Sequence, residues 1–246
     1  MWSQGPVPLV LSHRGHHVRE RENTIAAFDA AVAVGAHGIE FDVRATRRGE
    51  LVVHHDEKVR LGARRRRLIE SDRRELPGWV PTLKETLRWA RKNPRILLDM
   101  EIKEPGTEGE AMRLVEAAHL TERTIVTSFH PDVCFQVRDH FSETITGFLL
   151  EEAVPEAVDV AVEAGAKLLV VHRSAVDAGL VVAARARGLD VWAWGANRVH
   201  DARALVDAGV RGIITDRADR ILPPSPRAKA PTGRRQTVPG RGRRGS

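Results

Sequence analysis

Residues 38–43 read Gly38-Ile39-Glu40-Phe41-Asp42-Val43, a stretch in which apolar and acidic side chains alternate. Successive side chains of a β-strand point to opposite faces, so the two carboxylates share one face and the apolar side chains share the other. The stretch therefore predicts a strand with an apolar outer face and an acidic inner face. In a barrel, this acidic face is the interior.

Further short apolar runs, rich in β-branched residues, lie on both sides of this stretch. Continuous runs of this kind are typical of strands that are buried on both faces of a sheet. The runs are Pro8 to Ser12, Leu51 to His54, Ile96 to Ile102, Thr124 to Ser128, Thr144 to Leu150, Lys167 to Val171, Asp190 to Trp194 and Gly212 to Thr215.

Helical patterns separate most of these runs. Ile25, Phe28 and Val32 share one face of the first predicted helix, with Asn23 as its N-cap and Gly35 just past its end. Alternating strands and helices predict a parallel sheet with crossover helices. A chain of 246 residues fits a single (β/α)₈ TIM-type barrel of about 250 residues.

The strand count leaves one difficulty near the second and third strands. There are nine candidates for eight places, and only residues 44–50 separate the second candidate from the third. A parallel crossover normally needs about a dozen residues or more. We expect this connection to be irregular or hairpin-like.

Composition predicts a barrel domain at residues 1–222 and a disordered basic tail at residues 223–246. The tail is rich in Pro, Gly, Ser and Arg, and it carries too little apolar surface to offset its ordering entropy. Seven positive charges and no acidic residue follow Arg220, so removing them from the net charge of +6 leaves the first 220 residues at −1. The basic charge therefore does not predict a specific nucleic-acid partner for the barrel.

The sequence also predicts a cytoplasmic protein without a membrane span. The N-terminus lacks a signal-peptide pattern, and no apolar run approaches the ~20 residues of a span. Cys134 is the only cysteine, which excludes an intrachain disulfide, and the absence of tyrosine excludes a phenolic nucleophile. Composition does not indicate an oligomeric state.

Acidic side chains at predicted strand ends suggest a metal site. Glu40 and Asp42 would repel each other inside a barrel unless they bind a cation or a proton, and Glu101 could supply a third oxygen ligand. Carboxylates without cysteine favour a hard cation, Mg²⁺ or Ca²⁺. The alternative from spacing alone is that these acids form ion pairs with Arg and Lys residues of the barrel.

Two histidines at strand ends are the acid/base candidates. His13 follows the first predicted strand and His55 the third, and imidazole can accept a proton at one step and return it at another near neutral pH. Arg14 and Lys103 lie beside predicted strand ends as well. A structural role for either histidine is the alternative.

The order of motifs along the chain resembles the glycerophosphodiester phosphodiesterase family. It begins with His13-Arg14-Gly15, Glu22-Asn23-Thr24, the stretch at residues 38–43, and His55-Asp56. It continues to about Arg220 through Pro81-Thr82-Leu83, Glu101-Ile102-Lys103, Ser128-Phe129, Trp194 with Asn197, and Gly212-Ile213-Ile214-Thr215-Asp216.

The resemblance implies a phospholipase-C-like barrel that hydrolyses glycerophosphodiesters to sn-glycerol 3-phosphate and an alcohol, in lipid and glycerol metabolism. It implies His13 and His55 as catalytic residues. It also implies further roles at the mouth of the barrel: metal ligands at Glu40, Asp42 and Glu101, phosphate-binding residues at Arg14 and Lys103, and a pocket-lining aromatic at Trp194.

Departures from the family pattern leave the substrate open. The loop after His55-Asp56 is short and basic, with Arg64 to Arg67 expected as a solvated loop. A lysophospholipase-D-like activity would keep the site and change the substrate. A basic binder of nucleic acid or anionic membranes is the non-catalytic alternative. Sequence does not decide between water and a glycerol hydroxyl as nucleophile, nor which histidine acts first as base.

Overall fold

The structure is a computed structural model, and it describes residues 7–62, 64–152, 154 and 156–223. Eight parallel strands form a closed barrel, with helices between most consecutive strands. This confirms the predicted TIM-type fold. The barrel strands are β1 (Leu9–Ser12), β2 (Gly38–Ala45), β6 (Leu97–Ile102), β7 (Thr124–Ser128), β8 (Ile145–Leu150), β9 (Leu168–His172), β10 (Asp190–Trp194) and β11 (Gly212–Thr215).

The other elements lie outside the barrel wall. Three strands, β3 (Leu51–Val53), β4 (Lys58–Leu61) and β5 (Arg64–Arg67), fall between β2 and the next helix. The helices are α1 (Ile25–Val34), α2 (Leu83–Lys92), α3 (Glu108–Ala117), α4 (Pro131–His140), α5 (Ala157–Glu163), α6 (Ala178–Ala186), α7 (Val199–Asp207) and α8 (Ala218–Ile221). None of the described helices is long and apolar enough to cross a bilayer. The predicted tail lies outside the described residues, except for Pro223.

The ninth strand candidate is an addition at the edge of β2. β3 pairs antiparallel with β2, with Val43 opposite Val53 and Ala45 opposite Leu51. The turn between them closes through a hydrogen bond from Thr46 N to Glu50 O. The connection is therefore a hairpin, one of the two expected solutions, and β3 takes no place in the barrel.

The arginine run expected as a loop forms a strand instead. β5 pairs antiparallel with β4, with Lys58 opposite Arg67 and Leu61 opposite Arg64. Side-chain repulsion does not prevent this pairing because all four arginines are exposed to solvent, where charge is screened. The prediction of a loop at residues 64–67 is wrong.

The N-cap of helix α1 lies one residue later than predicted. Thr24, rather than Asn23, is the N-cap, and its Oγ1 accepts a hydrogen bond from Ala27 N. Gly35 ends the helix in a left-handed conformation, as expected. The prediction of Asn23 as the cap is wrong because its side chain turns to Asp42 instead.

The barrel closes through a short seam between β1 and β2. Only two residue pairs join these strands, Leu11 with Gly38 and Ser12 with Ile39. By contrast, β2 and β6 share six pairs. The seam lies directly below the residues that follow β1 and the acidic positions of β2.

Two apolar layers stabilise the barrel. Outside the strands, Phe28 packs between Phe41 and Trp89, with ring centroids 6.1 and 5.4 Å away. Inside, side chains such as Leu11 and Trp192 fill the lower half of the barrel. Trp192 lies so close to Gly212 that a Cβ there would approach its ring to 2.2 Å. The floor of the barrel therefore requires glycine at position 212.

We expect Gly212→Ala to reduce the free energy of unfolding by about 1–3 kcal/mol, because the added methyl group overpacks the ring of Trp192. Gly78→Ala is the matched control, since nothing lies within 4 Å of its added Cβ. It should change stability by less than about 0.5 kcal/mol. Urea unfolding measures both variants, and equal losses would contradict the role assigned to Trp192.

Candidate active site

The candidate site lies at the carboxyl ends of the barrel strands. Seven of the eight predicted residues line one pocket there, and the eighth, Asp42, is fully buried beside it. Asp99, Thr127, Phe129, Leu149 and Ile214 complete the lining. A larger cleft at the opposite end of the barrel has no histidine among its lining residues, so acid/base chemistry points to the pocket at the carboxyl ends.

Neighbouring strands β2 and β6 bring four carboxyl groups together. Glu40 is opposite Asp99 in the register, and Asp42 is opposite Glu101. Ligand oxygens of Glu40, Asp42 and Glu101 all lie within 4.8 Å of one another. Glu40 Oε1 and Asp42 Oδ1 are buried without a hydrogen-bond partner. Three carboxylates whose oxygens converge, two of which have an oxygen without a hydrogen bond, fit a hard divalent cation.

Burial and mutual repulsion disfavour ionisation of most of these groups. Burial, followed by the charge of Asp42, raises the pKa of Glu40 well above its ordinary value. The same two causes raise the pKa of Glu101 to about 7, and burial raises that of Asp99 to about 8. Without a cation, the pocket therefore holds protons at neutral pH.

Asp42 behaves differently because two cations lie beside it. Burial alone would raise its pKa, but the charges of Lys103 and Arg14 outweigh burial and lower it. Arg14 Nε lies 3.2 Å from Asp42 Oδ2, and Lys103 Nζ lies 3.3 Å from Oδ1 and 2.6 Å from Glu101 Oε1. The ion pairs considered from sequence are therefore present. They leave Glu40 Oε1 unsatisfied, so they do not account for the whole cluster.

Asn23 holds Asp42 in place, a role that the sequence did not reveal. Its Nδ2 donates to Asp42 Oδ2 at 2.7 Å, and its Oδ1 accepts from the backbone N of Asp42 at 3.2 Å. Asn23 and Arg14 both have positive φ, 57° and 53°, a conformation that costs energy in residues other than glycine. The loop after β1 therefore stores strain in order to place both side chains on the acidic cluster.

His13 is oriented by Asp216, which follows β11. Its Nδ1 lies 2.7 Å from Asp216 Oδ1, and Asn197 Nδ2 donates to Oδ2 of the same carboxylate at 2.7 Å. Burial would raise the pKa of Asp216, but hydrogen bonds from His13 and His17 lower it. An ionised carboxylate only accepts hydrogen bonds, so Nδ1 of His13 is the donor in this contact, and Nε2 is left for the pocket.

His55 reaches the same pocket from the end of β3. Its Nδ1 lies 3.0 Å from Asp56 Oδ1, and its backbone oxygen accepts a hydrogen bond from Arg44 Nε. Burial lowers the pKa of this imidazole, which favours the neutral form near pH 7. The adjacent His54 packs instead on Trp79, with ring centroids 5.8 Å apart.

One wall of the pocket is apolar and aromatic. Trp194 is fixed by a hydrogen bond from its Nε1 to Leu150 O and by the ring of His172, with centroids 4.5 Å apart. Phe129 approaches Trp194 edge to face at 6.5 Å and is 41% exposed. The pocket thus places an apolar surface beside the charged groups, with Lys103 Nζ 5.8 Å from the centre of the Phe129 ring.

The sequence is similar to that of a known hydrolase family along most of its length. The family model described as the glycerophosphoryl diester phosphodiesterase family matches residues 13–220. A glycerophosphodiester phosphodiesterase of Caldanaerobacter subterraneus subsp. tengcongensis is 29% identical over 234 residues, covering 87% of this chain and 96% of that protein.

Solved structures show the same fold. A glycerophosphodiester phosphodiesterase from Thermotoga maritima has a TM-score of 0.73 and 26% identity, with 88% of this chain and 97% of that chain covered. An Oleispira antarctica phosphodiesterase in complex with the product sn-glycerol-3-phosphate has a TM-score of 0.77 at 22% identity, with 87% and 95% covered. This chain is therefore a member of the glycerophosphoryl diester phosphodiesterase family, a family of phosphoric diester hydrolases.

Proposed function

We propose that this protein hydrolyses glycerophosphodiesters to sn-glycerol 3-phosphate and an alcohol. The observation that supports this most strongly is a single pocket that contains two histidines, three carboxylates and two cationic side chains. Membership of the phosphodiesterase family and the product named for the Oleispira antarctica protein support the same substrate class. The catalytic unit would be the barrel, residues 1–222, with residues 223–246 as a separate tail.

A divalent cation, Mg²⁺ or Ca²⁺, would be held by Glu40, Asp42 and Glu101. The fit rests on their converging oxygens and on the buried Glu40 Oε1, which has no partner. When bound, such an ion polarises a phosphoryl oxygen and orients the diester. It would also relieve the repulsion that raises the pKa of Glu40 and Glu101.

The side chains of this chain would supply the remaining chemistry. Arg14 and Lys103 place positive charge beside the phosphate position, where negative charge develops in the transition state. His13 and His55 each use Nδ1 for a carboxylate, which leaves Nε2 for the substrate. One imidazole would take the proton from the nucleophile and the other would protonate the departing alcohol oxygen.

The aromatic wall favours a second candidate substrate, a lysophospholipid. Phe129 and Trp194 form an apolar surface beside the charged groups, and Leu149 and Ile214 extend it. An acyl chain on the glycerol could bury apolar surface there. The reaction at phosphorus would be the same, and only the retained glycerol moiety would differ.

The first test is release of sn-glycerol 3-phosphate from glycerophosphocholine and glycerophosphoethanolamine with Mg²⁺, Ca²⁺ or EDTA. We expect release only with a metal ion, and we expect His13→Ala to reduce kcat by about 10²–10⁴-fold because a proton carrier is lost. His200→Ala, at a side chain 92% exposed to solvent, is the control and should retain full activity. Turnover by His13→Ala equal to that of the wild type would contradict the proposed role.

If neither diester is hydrolysed with any metal, release of lysophosphatidate and choline from lysophosphatidylcholine under the same conditions tests the second candidate. Product release there would retain the site and change the substrate. If neither glycerophosphodiesters nor lysophospholipids are hydrolysed, the non-catalytic alternative is favoured. Measuring whether the protein binds DNA or anionic vesicles in a salt-sensitive way would test that alternative directly.

Stability against pH tests the metal site without using activity. Glu101 and Asp99 have pKa values raised to about 7 and 8, so they bind protons more tightly in the folded state. In EDTA, we expect the stability they contribute to be complete below about pH 4 and lost as pH rises towards 8. Mg²⁺ or Ca²⁺ should restore stability most strongly at high pH, where the carboxylates are ionised.

Thermal unfolding at pH 6 and pH 9 measures this effect, with and without metal. Glu101→Gln should lose most of the metal-induced rise in Tm, and it should weaken the pH dependence in EDTA. Glu110→Gln, a surface residue paired with Arg113, is the matched control and should behave as wild type. A metal-induced rise of equal size in both variants would show that the ion binds elsewhere.

A further inference from the structure

A second group of potential metal ligands lies beside the carboxylate cluster. Two histidines and one carboxylate form it: His13 after β1, His17 in the loop that follows, and Asp216 after β11. Asp216 Oδ1 is 2.7 Å from His13 Nδ1 and 3.2 Å from His17 Nε2. The ligand atoms all lie within 4.8 Å of one another. The three side chains are a quarter to a third exposed, so an ion from solvent can reach them.

The carboxylate at the centre of this group is held rigidly. Asn197 Nδ2 donates to Asp216 Oδ2 at 2.7 Å, and Asn197 Oδ1 accepts from the backbone N of Asp216 at 2.9 Å. Thr215 Oγ1 donates to the same amide oxygen. Asp216 is therefore held through Oδ2, while its Oδ1 lies between the ring nitrogens of His13 and His17. Hydrogen bonds that hold a ligand in this way are typical of metal sites.

The donor set differs in kind from the carboxylate cluster. Imidazole nitrogens suit Zn²⁺ and neighbouring transition metals, whereas three carboxylates suit Mg²⁺ or Ca²⁺. Zinc bonds to nitrogen at ~2.0–2.1 Å, so the three donor atoms need only small shifts to surround one ion. The two clusters adjoin, because His13 Nε2 lies 3.9 Å from Glu40 Oε2.

We propose that His13, His17 and Asp216 form a second metal site, selective for zinc-like ions, and that its occupation inhibits the enzyme. In the metal-free arrangement, His13 Nδ1 donates to Asp216, and Nε2 lies towards the carboxylate cluster, 3.9 Å from Glu40 Oε2. Zinc can bind Nδ1 only after that atom has lost its proton, which passes to Nε2, so that both ring nitrogens are then occupied. His13 has no free lone pair left with which to accept a proton.

The inhibitory effect rests on the proposed role of His13, but the binding site does not. His17 does not line the pocket and acts there only through its hydrogen bond to Asp216, so it separates the two. In His17→Gln, the amide can still donate a hydrogen bond to Asp216, while the imidazole ligand is lost. The variant therefore preserves the support of Asp216 and removes one metal ligand.

The experiment titrates Zn²⁺ into enzyme saturated with Mg²⁺ or Ca²⁺ and follows glycerol 3-phosphate release. We expect His17→Gln to keep the activity of the zinc-free enzyme and to raise the zinc concentration for half-inhibition by at least about tenfold. His200→Gln is the control for weak capture by surface histidines and should leave the inhibition curve unchanged. Unchanged inhibition in His17→Gln would place zinc at the carboxylate cluster and overturn the proposal.

A binding measurement keeps the test independent of activity. Co²⁺ added to the Mg²⁺-saturated protein should give the visible absorption of a nitrogen-ligated ion, and His17→Gln should abolish it. Zn²⁺ should displace the signal. If the protein hydrolyses none of the diesters but binds Co²⁺ through His17, the proposed function fails and the site stands. Without a His17-dependent signal, the site itself is refuted.

Discussion

Electrostatic repulsion among the carboxyl groups of β2 and β6 is the constraint on which the rest of the site depends. Four acids face the interior of the barrel from neighbouring strands, and burial makes each charge costly. Arg14 and Lys103 offset part of this cost at Asp42. Asn23 fixes the same carboxylate, and the loop after β1 accepts two left-handed residues to bring Asn23 and Arg14 there. The loop geometry is therefore a response to the charge inside the barrel.

The same constraint explains why the hairpin of β2 and β3 matters for function. β2 extends to Ala45, and β3 folds back along it, so that His55 arrives at the level of Asp42 instead of on the far side of a helix. The hydrogen bond from His54 N to Asp42 O anchors this return. One acid/base candidate thus comes from the barrel wall, and the other comes from a strand added to its edge.

Much of this architecture could be predicted from local sequence. The two-residue alternation in residues 38–43 gave both the strand and the convergence of its acids, because that information lies within six residues. Several features could not be predicted in this way. The direction of β3 depends on pairing, the N-cap at Thr24 depends on Asn23 being recruited by Asp42, and Asp216 reaches His13 across 203 residues of chain. The arginine strand was missed because it buries nothing, so no apolar pattern marks it.

The short seam between β1 and β2 has a mechanical consequence. In a closed barrel, the junction with the fewest paired residues is the one that separates most easily. Here that junction joins β1 to β2 through two residue pairs. His13 stands on one side of that joint and Glu40 on the other. The spacing between His13 and the carboxylate cluster therefore depends on the shortest junction of the barrel, whereas the spacing of the carboxylates themselves depends on the six-pair junction of β2 with β6. The carboxylate cluster therefore rests on the longer strand junction, and His13 lies beside the shorter one.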